Sequence, residues 1–263
     1  MYAPGPIVSP EHAALLLMGF GVGFIVGLTG MGGATLMTPF LIIVLRVRPS
    51  FAIGTDLVYA ALTKIAGATI HWKQGMVDLR IVRTLAFGSL PAGIAGSLAV
   101  YAMGRLSPAA DRYLRDAVGL TLVAVTAALA LGGRWRRRKP AQWRSERRRD
   151  LATAASGALI GAVVGFTSIG SGTLVLPFLI WAYDVPAARL VGTDIFHAAI
   201  LLAVTGAFFT GFGTVQWSVL PWLLAGSLPA VALGSRLAPR LPEKALRAIL
   251  MTVLLLSAWK LLK

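Results

Sequence analysis

The 263-residue chain repeats itself. Residues 27–42 return 138 positions later as residues 165–180, with 9 of 16 positions identical. The same shift holds without a gap on either side. Gly19, Gly23 and Gly27 match Gly157, Gly161 and Gly165, Gly54-Thr55-Asp56 matches Gly192-Thr193-Asp194, and Gly88-Ser89-Leu90-Pro91-Ala92 matches Gly226-Ser227-Leu228-Pro229-Ala230. A duplicated apolar segment, interrupted by Gly and Pro at corresponding places in two halves, is the sequence signature of a secondary transporter with its site between the repeats.

With 57% hydrophobic residues, 13% charged residues and a mean hydropathy of +0.76, the chain holds more apolar surface than a soluble core of this size could hide. Apolar stretches run over residues 12–45, 50–70, 84–104, 117–133, 151–183, 195–217, 219–235 and 248–259. Most are one bilayer's worth of helix, and 12–45 and 151–183 are nearly twice that. Residues 1–11 carry no Lys or Arg, and no small-residue cleavage site closes a short apolar run, so the first segment reads as a retained span and not a signal peptide. The lipid bilayer is the expected environment.

The net charge of +15 would suggest nucleic acid in a soluble protein, but nine of the 25 basic residues lie between Arg134 and Arg149. A basic loop between apolar spans is retained on the cytoplasmic side, so nucleic acid is not an expected partner. This linker, 134–150, separates a first repeat, 1–133, from a second, 151–263. No cysteine is present, which excludes thiol chemistry and disulfides.

Corresponding loops differ in charge. The loop at 71–83 carries Lys73, Arg80 and Arg83, whereas its counterpart at 209–221 carries no charge, which favours opposite orientations for the two halves. Counting each double-length segment as one span would instead give eight spans and parallel halves. The expected fold is an all-α polytopic membrane protein with 8–10 spanning or half-spanning helices in two inverted repeats.

Three glycines at four-residue spacing put a smooth face on the first helix of each half, enough for close helix packing. The residues immediately beyond them do not suit a straight helix: Thr29-Gly30-Met31-Gly32-Gly33 and Thr167-Ser168-Ile169-Gly170-Ser171-Gly172, with Pro39 or Pro177 ten residues beyond each threonine. Clustered glycines cost a helix about 1 kcal/mol each relative to Ala. Non-helical backbone at membrane depth persists only where protein or water satisfies it. The alternatives are a packing kink, or a cavity in which N–H groups at the next helix start face an anion. In the second case Thr29, Gly30, Gly32, Gly33, Thr35, Thr167, Ser168, Gly170, Ser171 and Thr173 are the candidate substrate-binding residues.

The run Gly27-Leu28-Thr29-Gly30-Met31-Gly32-Gly33, the apolar segment with Pro39, and Gly54-Thr55-Asp56, all repeated in a chain of this length, resemble the sulfite exporter TauE/SafE family of membrane transporters. The resemblance covers most of the chain outside the linker. It implies a multi-pass permease of the bacterial inner membrane that moves sulfite, organosulfonates or related anions outward, coupled to a proton or cation gradient. The second half departs from the motif, with Ser168 and Ser171 in place of Gly30 and Gly33, which makes the two half-sites chemically unequal.

Asp56 and Asp194 sit in apolar helices, where an ionised carboxylate costs about 2.5–3.5 kcal/mol even on insertion scales. Each is a candidate coupling residue, or a hydrogen-bond anchor for the broken backbone. Lys64, two turns beyond Asp56, is a candidate anion ligand, unless it pairs with Asp56 or snorkels. His197, at i+3 from Asp194, is a candidate proton relay or a structural histidine. No nucleophile elbow, phosphate-cradling loop or metal-ligand cluster is visible, so no enzyme activity, cofactor or metal is expected. The rival to a transporter is a membrane scaffold or assembly factor. A homodimer is left open.

Overall fold

The computed structural model describes residues 10–29, 34–106, 108–135, 143, 145–240 and 242–263. Among them the chain forms ten α-helices and one short 3-10 turn, with no strand. The first half gives α1 (Pro10–Thr29), α2 (Ala34–Ile43), α3 (Pro49–Lys73), α4 (Leu79–Leu106) and α5 (Pro108–Trp135). The second gives α6 (Glu146–Thr167), α7 (Val175–Ala182), α8 (Ala187–Gly211), α9 (Leu220–Leu237), the turn Ala238–Arg240, and α10 (Glu243–Leu262).

Local chemistry sets these boundaries. Pro49 opens α3 at a position where its missing N–H is not needed. Ser145 caps α6 by accepting the Arg148 N–H at 3.3 Å. The turns after α3 and α8 use Gly75 and Gly213, whose φ of 68° and 69° suit glycine. Helix reaches into the basic linker from both sides: α5 runs on to Trp135 and α6 starts at Glu146, since Arg and Glu are good helix formers. Trp143 then pins the linker to the end of α7, donating to the Ala182 carbonyl at 3.0 Å and meeting the Trp181 ring edge-on.

Seven helices, α1, α3, α4, α5, α6, α8 and α10, are long and apolar enough to cross a bilayer. Helix α9, at 18 residues, is shorter than these and carries Pro229 inside it and Arg236 in its last turn. The double-length stretch at 151–183 resolves into α6, a break at 168–174, and the half-length α7; the one at 12–45 resolves into α1 and the half-length α2. About three-fifths of α3 and α8 is buried, against a fifth to two-fifths of the other spans. These two form the centre, and side chains such as Leu17, Phe87, Leu159 and Leu256 face outward for lipid.

Glycines govern how the outer helices meet. On α1, Gly19, Gly23 and Gly27 abut the backbones of Leu223, Ser227 and Val231 on α9 in turn, so these helices run parallel and nearly in backbone contact. On α6, Gly157, Gly161 and Gly165 abut Leu85, Ser89 and Gly93 on α4 in the same sense. Helices α3 and α8 instead run antiparallel. Thr55 Oγ1 accepts the Gln216 N–H beyond the end of α8, and Thr193 Oγ1 accepts the Asp78 N–H beyond the end of α3, both at 2.9 Å. Each hydroxyl also donates to the carbonyl four residues back, Phe51 or Arg189, at 2.7 Å. Thr55→Val and Thr193→Val are therefore each expected to destabilise the protein by about 1–3 kcal/mol by stranding a loop N–H. Thermal denaturation in detergent would read this, and an unchanged midpoint in both variants would refute it.

Candidate functional site

Two polar clusters occupy the otherwise apolar centre. The first gathers around Asp56, fully buried near the start of α3. Its Oδ2 accepts the Thr38 N–H at 3.2 Å and shares short hydrogen bonds of 2.6 Å with the Thr38 and the Ser168 hydroxyls, while Oδ1 is buried with no partner. Thr38 belongs to α2 and Ser168 ends α6, so one carboxylate ties a half-helix of the first half to the break of the second. Tyr59, one turn along α3, lies next to Ser227 of α9 without a hydrogen bond of normal geometry and within electrostatic reach of Asp56.

The second cluster gathers Lys64, Asp194 and His197. Lys64, only 7% exposed, lies within electrostatic reach of both Asp194 and His197. Among the described residues it makes no hydrogen bond or direct ion pair. Asp194 Oδ1 and His197 Nδ1 are likewise buried without partners. His197 Nε2 shares a hydrogen bond with Ser89 Oγ at 2.7 Å.

Two pairings open from the sequence are thereby decided. Lys64 keeps company with Asp194, not Asp56. The separation of eight positions from Asp56 to Lys64 amounts to about 12 Å of helix rise, and the antiparallel crossing of α8 carries Asp194 to the lysine. His197 bonds Ser89 of α4, not Asp194, because close packing of α4 beside α8 offers a hydroxyl directly. The threonines beside the two aspartates, Thr55 and Thr193, hold loops of the opposite half and not the broken backbone.

The break at 168–174 is buried almost throughout. Ser168 adopts a left-handed conformation, φ 61°, uncommon for a residue with a side chain, and Gly170 sits at φ 105°. Thr167 donates to the Val163 carbonyl at 2.7 Å and accepts the Ile169 N–H at 3.3 Å, closing the end of α6. Ser171 is buried, and Thr173 has a buried hydroxyl with no partner. In the first half, Thr35 is buried near the start of α2. Thr29 is the last residue of α1, while Gly30, Gly32 and Gly33 lie outside the described residues.

Thr38, Ser89, Tyr59 and Ser227 are not singled out by the sequence. Ser89 and Ser227 stand in the duplicated Gly-Ser-Leu-Pro-Ala block, which is a usable signal. Thr38 has a weaker one, since the position 138 residues on is Leu176.

Comparison with known proteins fits this arrangement. A family model described as sulfite exporter TauE/SafE matches residues 15–261. The chain is 40% identical over 258 residues, 95% of its length and 99% of the relative's, to probable membrane transporter protein YjnA of Bacillus subtilis (strain 168). It is 31% identical over 221 residues, 83% of its length and 82% of the relative's, to a probable membrane transporter protein of Xylella fastidiosa (strain 9a5c). No solved structure matches it. Matched almost from end to end by that family model and by transporter relatives, the chain belongs to the sulfite exporter TauE/SafE family of membrane transporters.

Proposed function

We propose that this transporter moves small sulfur-containing anions, such as sulfite or organosulfonates, outward across a bacterial inner membrane, driven by an ion gradient. Lys64 carries the reading. A buried amine in the bundle interior with no direct counter-charge is costly to keep, and a visiting anion offsets that cost. The hydroxyls and turned backbone around residues 167–173 supply neutral donors for oxygen atoms, and Thr29, Gly30, Gly32, Gly33 and Thr35 are their counterparts. Asp56, Asp194 and His197 form the coupling set. The family's description as sulfite exporters supports the sulfur-oxyanion class. Proteoliposomes loaded with radiolabelled sulfite or methanesulfonate should release it faster than empty-vector controls, and acetate should not compete. Efflux equal to the controls for both anions would end this reading.

Two inverted repeats, 1–133 and 151–263 joined by a cytoplasmic linker, are part of the same proposal. Support comes from the contacts already described, because a shift of 138 positions turns Gly19–Leu223, Gly23–Ser227 and Gly27–Val231 into Gly157–Leu85, Gly161–Ser89 and Gly165–Gly93. The same shift exchanges the Thr55–Gln216 and Thr193–Asp78 bonds, and matches the Tyr59–Ser227 pair to His197–Ser89. Single cysteines introduced at Gln74 and Gln142 are expected to be cytoplasmic and one at Gly213 external, as read by a membrane-impermeant thiol reagent. Labelling of positions 74 and 213 from the same side excludes inversion.

A further inference from the structure

Three oxygens form a closed triangle where α2, α3 and the end of α6 meet. Thr38 Oγ1 and Ser168 Oγ each lie 2.6 Å from Asp56 Oδ2, and the two hydroxyls lie 2.6 Å from each other. Every edge has the length of a strong O–H···O bond, so every edge calls for one proton. The two hydroxyls hold one proton apiece. With Asp56 ionised, one edge would press two oxygens together with nothing between them, at a place where all three residues are completely buried.

The surroundings offer no other compensation. The Thr38 N–H is the further donor to Oδ2, and Oδ1 has none. Among the described residues no charged side chain of α2, α4, α5, α6, α8 or α9 lies within electrostatic reach of Asp56, and its titratable neighbour is Tyr59 on α3 itself. Lys64, the buried cation, belongs with Asp194 and His197. The two carboxylates, 138 positions apart, thus have opposite settings: one has a cation, the other has two hydroxyls that need a third proton.

We propose that Asp56 is a proton-binding site and carries a proton in this conformation, the acid completing a ring of three hydrogen bonds with Thr38 and Ser168. This rests on the transport reading above and names its coupling ion. Because Ser168 ends α6 while Thr38 and Asp56 lie on α2 and α3, the proton fastens two helices of the first half to the break of the second. Its loss to water leaves a carboxylate that needs hydration, and admitting water there means parting Ser168 from Asp56. Proton uptake from one side and release to the other is thereby linked to opening of the break.

Infrared difference spectra of the full-length protein in lipid nanodiscs, titrated with alkali, test this without any substrate. A buried carboxylic-acid C=O band is expected at neutral pH and lost on alkalinisation, missing from Asp56→Asn and present in Asp194→Asn. In Ser168→Ala it should shift, since one hydrogen-bond partner is gone; this variant serves if Asp56→Asn fails to insert. Absence of the band in wild type, its survival in Asp56→Asn, or its removal by sodium ions at fixed pH overturns the proposal. In proteoliposomes, methanesulfonate is the probe because its charge is independent of pH. The ratio of its flux with and without an imposed pH gradient should fall to unity in Asp56→Asn. If no variant, wild type included, moves any sulfur anion, the substrate reading fails and the infrared result still decides this one.

Discussion

Gly23→Leu is expected to abolish the folded protein, and Gly21→Leu, two residues away on the same helix, to leave it intact. A Cβ added at Gly23 would lie 2.6 Å from the Ser227 carbonyl oxygen and 2.7 Å from its Cα, while one added at Gly21 meets nothing within 4 Å. The obstacle at Gly23 is backbone, which cannot swing aside like a side chain. The remedy is to push α1 off α9 along the seam that Gly19, Gly23 and Gly27 share. Overpacking costs about 1–3 kcal/mol where neighbours can shift, so this substitution belongs at or beyond about 3 kcal/mol. The fraction of monodisperse protein after detergent extraction reads the outcome. Equal yields for the two variants would mean that the parallel seam does not hold the bundle.

Lys64→Met is expected to separate binding from stability. Methionine keeps the length and apolar stem of lysine but removes the charge. If the amine receives the anion, the apparent affinity for sulfite falls by about 30-fold or more, the equivalent of the 2 kcal/mol at the low end for losing one partner of a buried charge pair. The same change removes a buried ammonium that has no direct ion pair, but also the cation within electrostatic reach of Asp194, so the two effects on stability oppose each other and the thermal midpoint is expected to move little beside the loss of affinity. Concentration-dependent flux and thermal denaturation on one preparation give both numbers. Unaltered affinity would remove Lys64 from the substrate path, and a lowered midpoint with unaltered affinity would make its role structural.

How much of the fold and site is legible in the sequence depends on whether a feature is periodic or unique. The breaks announce themselves, because clusters of Gly, Ser and Thr inside apolar runs have few other uses, and α6 does stop at Thr167. The buried acids are visible for the same reason. What the sequence withholds is pairing between elements. Helical periodicity places Lys64 on a face of α3, but the presence of Asp194 there comes from the antiparallel crossing of α8. A search guided by duplication passes over anything present once, which hides Thr38, standing where the other half has Leu176, despite its hold on Asp56 through two hydrogen bonds.

The glycine seams have a mechanical consequence. Helix α1 is fused along its length to α9, and α4 to α6, so each tight pair draws one member from each half of the gene product. The units encoded in succession are therefore not the units that can slide. Any alternating movement has to be carried by interlocked bodies of mixed parentage, α1 with α9 on one side and α4 with α6 on the other, working across the α3–α8 crossing. A lesion in either half is then felt by both bodies, and a half made alone leaves its glycine face without the backbone it is shaped to meet.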